Sequence, residues 1–216
     1  MTVQGIAALV AGATGLVGGE CVQQLAGVSR VARVVALVRR QPGVSPGDRI
    51  VPLVVDFERL SDSRAAFAGI THVFCALGTT IAVAGSQSAF RRVDFDYALE
   101  VATLGAELGA RHLLLVSSLG ANRSSRVFYT RVKGELESAV QKLPYRSITI
   151  ARPSLLLGDR KEFRLGEALA KPFGFLIPGR YRPVEARAVA RALVRAAVDD
   201  RPGVRILESE ALRRAV

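Results

Sequence analysis

The chain has 216 residues, half of them hydrophobic, and its formal net charge is +11. Such a chain is long enough to bury the core of one domain, and its composition excludes a fibrous or disordered protein. We expect no membrane-spanning segment, because no uninterrupted apolar run approaches the required length.

The positive charge does not by itself indicate a nucleic-acid-binding protein. Of the 30 basic residues 26 are arginine, and they are scattered along the chain without a stripe of interleaved aromatic residues. The two cysteines, Cys21 and Cys75, are too few for a disulfide framework. They indicate buried free thiols in a cytoplasmic protein.

Short runs of apolar and β-branched residues alternate with longer helical stretches. The predicted strands are Ile6–Val10, Val34–Val38, Ile50–Val55, His72–Cys75, His112–Val116 and Ser147–Ala151. The predicted helices are Gly15–Ala26, Ala89–Leu108 and Ser125–Leu143, with a weaker one over Ser61–Ala68. This alternation predicts an α/β fold with a doubly wound, mostly parallel Rossmann sheet and helices on both faces.

The chain changes character after about residue 155. The stretch "KPFGFLIPGRYRPV" is rich in proline and glycine, and it precedes a predicted helix over Val184–Val198 and a final strand over Val204–Glu208. No linker separates this region from the rest. We therefore predict a single domain over residues 1–216, with residues 155–216 contributing a small substrate-side cap.

A glycine-rich turn, "GATGLVG", follows the first predicted strand directly. Gly12 permits the tight turn, Gly15 lets the backbone approach a pyrophosphate, and Gly18 lets the next helix pack closely on the sheet. That helix presents its free N–H groups to phosphate, and Thr14 adds a hydroxyl at the same turn. A strand before the turn and a helix after it favour a dinucleotide-binding site over a flexible turn.

The end of the second strand indicates which dinucleotide is bound. NAD-specific folds place an acidic residue there against the ribose 2′-hydroxyl, whereas this chain has Arg39 and Arg40. Two arginines can bind a 2′-phosphate, so NADP(H) is the predicted cofactor. Asp56, after the third strand, stands where such folds contact the adenine amino group.

The stretch "SSRVFYTRVKGELE" places Tyr129 one helical turn before Lys133. An ammonium group near a phenol lowers the pKa of the phenol and makes it a usable acid or base. Ser117 or Ser118, at the end of the preceding strand, could bind a carbonyl oxygen beside it. The same spacing also occurs by chance on ordinary helices. The glycine-rich dinucleotide turn earlier in the chain is what favours a proton-transfer pair over two surface residues on one helical face.

The order of these motifs resembles the short-chain dehydrogenase/reductase family over about the first 165 residues. The segments "CALGTT", "FRRVDFDYALEVA", "SSLGAN", "FYTRVKGELE" and "RPSLLLGDRKEFRLGE" narrow the resemblance to the atypical branch that includes the Tat-interacting proteins. The resemblance implies catalysis by Ser118, Tyr129 and Lys133. It implies cofactor contacts from these residues: Gly12, Thr14, Gly15, Leu16, Val17, Gly18, Arg39, Arg40, Asp56, Leu77, Gly78, Tyr129, Lys133, Leu156 and Arg164.

Within this resemblance Leu156 would lie at the nicotinamide end, and Arg164 would reach the cofactor or an acidic substrate unless it is a solvated loop charge. One departure from the family is Asp94, which stands where many members have an asparagine of a proton relay. An aspartate cannot donate as an asparagine does unless it is protonated.

Two functions follow from these observations. The first is an NADPH-dependent reductase of a small carbonyl substrate, with Tyr129 as the proton donor. The second is a non-enzymatic NADPH-binding module that regulates or senses redox state through a protein partner. We expect no metal site and no membrane partner, and the sequence leaves the oligomeric state and the substrate open.

Overall fold

The protein, described by a computed structural model over residues 5–41, 47–157 and 181–214, is built on parallel strands. The strands are β1 Ile6–Ala11, β2 Val31–Val38, β3 Ile50–Val54, β4 His72–Cys75, β5 His112–Val116, β6 Ser147–Arg152, β7 Leu156–Leu157, β8 Val184–Glu185 and β9 Gly203–Glu208. Seven of them form one sheet in the order β3-β2-β1-β4-β5-β6-β9, and every neighbouring pair is parallel. The predicted doubly wound Rossmann fold is confirmed.

Seven α-helices are described. They are α1 Leu16–Ala26, α2 Ile81–Ala84, α3 Gln87–Arg91, α4 Ala98–Glu107, α5 Phe128–Val140, α6 Ala186–Asp199 and α7 Ser209–Arg214. The helix predicted over Ala89–Leu108 is interrupted, because a π-helical segment, Arg92–Tyr97, joins α3 to α4. The weak helix predicted over Ser61–Ala68 is instead a kinked 3-10 segment that spans Phe57–Phe67.

Apolar residues on both faces of the strands bury the sheet in two layers. In β1, Val10 packs into the core under α1 and α6, whereas the preceding Leu9 packs into the core under α4 and α5. Successive side chains of a strand point to opposite faces. The continuous apolar runs of the sequence therefore serve both cores at once.

The C-terminal part of the chain belongs to this fold rather than to a separate layer. Strand β9 extends the sheet beside β6, α6 packs against α1, and β7 pairs with β8 in a small second sheet. Within residues 155–216, α6 and β9 therefore belong to the large sheet and the helices that cover it, and the substrate-side cap stays a prediction. Residues 158–180 lie outside the described residues. They hold the segment "GDRKEFRLGEALA", for which the sequence predicts a loop and a short helix, and most of the proline- and glycine-rich stretch.

Because the strands are parallel, the large sheet has two distinct edges. We call the edge where the strands end the carboxyl edge and the opposite one the amino edge. Ligands of open α/β sheets bind beyond the carboxyl ends of the strands. Among the helices of the described residues, none has the length and apolar character needed to cross a membrane.

Candidate functional site

The glycine turn lies at the carboxyl edge between β1 and α1, and two of its glycines are sterically required. Gly12 has a φ of +82°, and a Cβ there would lie 2.5 Å from the carbonyl oxygen of Ala76. A Cβ on Gly18 would lie 2.1 Å from the carbonyl oxygen of Gly12. Both contacts are far closer than van der Waals separation, so larger residues would displace the turn from the sheet.

The same turn leaves the first turn of α1 available to a ligand. The N–H of Gly15 donates to the carbonyl oxygen of Gly12 at 2.8 Å, and α1 begins at the next residue. No side chain within the described part of the chain caps this helix, so the N–H groups of Leu16 and Val17 lack a capping partner. Thr14 is exposed beside them. A helix N-terminus of this kind binds phosphate.

Three further residues that the sequence predicts to bind the cofactor follow strands at the same edge. Arg39 and Arg40 come directly after β2, and both are exposed. Asp56 follows β3, where its Oδ1 accepts a hydrogen bond from the N–H of Glu58 at 2.9 Å and caps the 3-10 segment. Its predicted adenine contact stays a prediction, since the cap uses only one of the two carboxylate oxygens.

A buried ion pair lies behind the loop that follows β4. Lys133 Nζ lies 2.6 Å from Asp94 Oδ1, and the two side chains are 4% and 0% exposed. The other carboxylate oxygen of Asp94 accepts the N–H of Thr79 at 2.9 Å. A Cβ on Gly78 would lie 3.5 Å from Asp94 Oδ1, so the loop carrying Leu77 and Gly78 passes closely over the pair.

Asp94 keeps the buried lysine charged. Burial alone would lower the pKa of Lys133, but the charge of Asp94 and the neighbouring Tyr129 act in the opposite direction, and the pKa is raised above its usual value. A fixed ammonium group therefore lies behind the loop of Leu77 and Gly78.

Tyr129 lies in the first turn of α5, one turn before Lys133. The tyrosine is half-buried, and its ring centroid lies 5.4 Å from that of Phe90 in α3. Phe128, beside it, contacts the same ring with centroids 5.8 Å apart. These contacts orient the start of α5 against α3, so the predicted Tyr129–Lys133 pair shares one helical face at the carboxyl edge.

The two adjacent serines after β5 have different environments. Ser117 Oγ donates to Glu137 Oε1 at 2.5 Å, and Arg152 binds the same carboxylate through Nε at 3.0 Å and Nη2 at 2.6 Å. Ser118 Oγ is buried and has no hydrogen-bond partner among the described residues. Adjacent residues in extended chain point in opposite directions. This contrast favours Ser118 over Ser117 as the serine that faces a ligand.

The remaining predicted residues are at the far end of the site. Leu156 lies in β7 and is half-buried, and Arg164 lies outside the described residues. The sequence reasoning did not include Thr79 or the buried pair of Glu137 with Arg152. One signal was present for Glu137, since it follows Lys133 by four residues and so continues the face that carries Tyr129.

Comparison with known proteins identifies the family of the chain. The sequence profile of the NAD(P)H-binding family matches residues 12–200. The chain belongs to this family, and within it to the atypical short-chain dehydrogenase/reductases. HTATIP2 of Rattus norvegicus, a Tat-interacting protein, is 35% identical over 209 residues, which cover 94% of this chain and 86% of that protein. The predicted resemblance to the Tat-interacting branch is thereby confirmed.

Fungal and bacterial proteins extend the comparison. FMP52 of Eremothecium gossypii, named as mitochondrial, is 35% identical over 211 residues, covering 94% of this chain and 93% of that protein. A short-chain dehydrogenase/reductase superfamily protein of Agrobacterium tumefaciens, solved with bound NAD, has a TM-score of 0.71 and 16% identity over 94% of this chain and 77% of its own. That structure supports the fold alone.

One expectation is corrected by these relatives. The sequence analysis expected a cytoplasmic protein, but several of the fungal relatives carry the word mitochondrial in their names. Two buried cysteines and an absence of disulfides are equally compatible with other reducing compartments, so they were not a sound basis for the cytoplasmic assignment.

Proposed function

We propose that the protein is an NADPH-dependent reductase of a small carbonyl compound, with Tyr129 as the proton donor. The observation that carries the proposal is the charged Lys133, buried one helical turn from Tyr129 and positioned by Asp94. A lysine that is merely part of a solvated helix face would be exposed. Here the side chain is directed inward at the carboxyl edge, where a dinucleotide binds in this fold.

Each residue then has a distinct task. Lys133 binds the nicotinamide ribose, and the Tyr129 phenol donates its proton to the carbonyl oxygen as that oxygen gains negative charge. Ser118 donates a hydrogen bond to the same oxygen and orients the substrate. NADPH, when bound, supplies the hydride. Leu77, Gly78 and Leu156 would exclude water from the nicotinamide end.

Replacing the phenol tests this assignment. We expect Tyr129→Phe to reduce turnover of a carbonyl substrate by a factor of about 100 or more, the usual contribution of a general acid, while NADPH affinity stays nearly unchanged. The matched control is Tyr97→Phe, which removes a hydroxyl that donates to Glu58 at the surface. A phenylalanine variant with wild-type turnover would show that Tyr129 is not the proton donor.

The preference for NADPH over NADH rests on the two arginines after β2. We expect a fluorescence titration to show tight NADPH and weaker NADH binding, and Arg39→Ala/Arg40→Ala to abolish the difference by weakening NADPH binding alone. Arg64→Ala/Arg195→Ala is the control, because it removes the same charge from exposed positions elsewhere. Equal affinities for both dinucleotides in the wild-type protein would overturn the preference.

A second function is favoured by one specific observation. Asp94 stands where the resemblance to the short-chain family implies a proton-relay asparagine, and its two oxygens are engaged by Lys133 and by the N–H of Thr79. A carboxylate in this arrangement cannot pass a proton onward, which suits a slow enzyme or a regulatory NADPH-binding module acting through a protein partner. Rapid, Tyr129-dependent oxidation of NADPH by any carbonyl compound would exclude that module.

A further inference from the structure

Both histidines of the chain, His72 and His112, meet at the amino edge of the sheet. They begin the neighbouring strands β4 and β5, and their side chains are fully buried with ring centroids 5.5 Å apart. Asp200, at the end of α6, brings a carboxylate to the same place. One potential ligand atom from each residue lies within 4.8 Å of the others.

The three facing atoms lack hydrogen bonds of ordinary geometry. His72 Nε2, His112 Nδ1 and Asp200 Oδ1 are all buried without a hydrogen-bond partner in the described part of the chain. Asp200 Oδ1 lies 3.2 Å from His112 Nδ1 and 3.8 Å from His72 Nε2. Three unsatisfied buried atoms directed at one place require an explanation, because each has a desolvation cost.

The opposite ring nitrogens determine which atoms carry lone pairs. Thr71 Oγ1 donates its single hydrogen to the carbonyl oxygen of Ala7 at 3.1 Å, so His72 Nδ1, 2.8 Å away, is the donor to that hydroxyl. His72 Nε2 is then the ring nitrogen that carries the lone pair. His112 Nε2 lies 3.0 Å from Thr149 Oγ1, and the tautomer that donates from Nε2 to this hydroxyl is the one that carries a lone pair on Nδ1.

The imidazoles are also neutral. Burial, together with mutual repulsion in the case of His72, lowers the pKa of each histidine to about 4. Asp200 is ionised, because the hydrogen bond and the positive charge of Arg111 outweigh the opposing effect of burial and lower its pKa.

Three arginines limit the kind of ion that this cluster can bind. Arg111 and Arg146 bind the other oxygen of Asp200 at 2.8 and 3.3 Å, and the positive charge of Arg205 acts on His112. These charges weaken the attraction of the carboxylate for any cation. They disfavour Mg²⁺ and Ca²⁺, which depend on charged oxygen ligands, relative to ions that bind strongly to imidazole nitrogen.

We propose that His72 Nε2, His112 Nδ1 and Asp200 Oδ1 bind one divalent transition-metal ion of the zinc type. Zn²⁺ takes such a two-nitrogen, one-oxygen donor set at about 2.0–2.2 Å from each atom, which the observed separations accommodate with small side-chain shifts. The ion would join β4, β5 and the end of α6 at the edge opposite the dinucleotide turn. Its role is therefore structural, and it is independent of the proposed reductase activity.

Metal titration of untagged, metal-stripped protein tests the site. We expect one Co²⁺ per chain to bind with the visible absorption of a low-coordinate site, Zn²⁺ to displace it, and Mg²⁺ to have no effect. Zn²⁺ should also raise the melting temperature in proportion to the logarithm of its concentration above Kd. A wild-type protein that binds neither Co²⁺ nor Zn²⁺ would overturn the proposal.

Two variants remove a ligand atom while keeping the neighbouring contact. His72→Asn retains a group beside Thr71 and loses Nε2, whereas His112→Gln retains a group beside Thr149 and loses Nδ1. Each of these two variants should weaken metal binding more than about tenfold. NADPH affinity should stay unchanged, and its measurement also verifies that the variant is folded. Cys21→Ala/Cys75→Ala, which removes the only thiols, should bind the ion normally. Wild-type affinity in both histidine variants would overturn the proposal, and the wild-type titration decides it if either variant fails to fold.

Discussion

The adjacent residues Ser117 and Ser118 carry the same hydroxyl group in different hydrogen-bonding surroundings. Ser117 completes a buried network with Glu137 and Arg152, and Ser118 has a buried Oγ without a partner. The two side chains are chemically identical, so only their surroundings distinguish the structural role of Ser117 from the catalytic role proposed for Ser118. A buried hydroxyl without a partner calls for an explanation, and a hydrogen bond to a bound ligand is one.

This difference predicts opposite results for two otherwise equal substitutions. Ser117→Ala leaves the Glu137 carboxylate with one donor fewer and should lower the free energy of unfolding by about 1–3 kcal/mol, with little effect on turnover. Ser118→Ala removes no hydrogen bond of the free protein, so it should leave stability nearly unchanged and reduce kcat. Urea unfolding and steady-state kinetics on both variants measure this, and reduced stability in Ser118→Ala alone would contradict the assignment.

At the scale of elements, the π-helical segment is what brings Asp94 to Lys133. A π turn contains an extra residue, which rotates the following side chains by roughly 100° relative to an uninterrupted α-helix at 3.6 residues per turn. Asp94 lies within this segment, and Lys133 reaches it from α5 at 2.6 Å. Segments of this kind are frequent at functional sites.

The buried pair should behave as one unit in stability measurements. Asp94→Asn leaves the buried Lys133 ammonium without its counter-charge, and Lys133→Met does the same to the Asp94 carboxylate. Each variant alone should therefore destabilise the protein by about 3–5 kcal/mol. The double variant should lose less than the sum of the two. Arg92→Ala is the control, because its ion pair with Glu58 is exposed and contributes at most about 1 kcal/mol. Additive losses in urea unfolding would mean that the two groups are not coupled.

The sequence predicted the elements better than the contacts between them. Periodicity located every strand of the large sheet to within a few residues, and the glycine spacing located the turn, because both depend on local sequence. The Asp94–Lys133 pair, the Ser117–Glu137 network and the cluster of His72, His112 and Asp200 were not predicted. These contacts join residues that are far apart in the chain. The Asp94–Lys133 contact also depends on the direction in which Asp94 leaves its helix, which is set by a π turn that helix propensity does not predict.

At the scale of the whole molecule, the parallel sheet separates two chemically different edges. The carboxyl edge carries the glycine turn, the Tyr129–Lys133 face and the unpartnered Ser118, whereas the amino edge carries the histidine cluster. Helix α6 starts beside the first edge and ends at Asp200 beside the second. Strands β4 and β5, which connect the edges, are buried along their whole length, and close-packed interiors of this kind deform little.

This separation predicts that the two proposed ligands stabilise the protein independently. Each ligand at about 100 times its Kd contributes about 2.7 kcal/mol, and sites without shared partners give additive effects. Differential scanning calorimetry should therefore show melting-temperature shifts for NADPH and Zn²⁺ that sum when both are present. His112→Gln should lose only the Zn²⁺ shift, and Arg39→Ala/Arg40→Ala should lose most of the NADPH shift alone. A combined shift well below the sum, with each variant affecting both ligands, would mean that α6 couples the edges and that the amino-edge ion regulates cofactor binding.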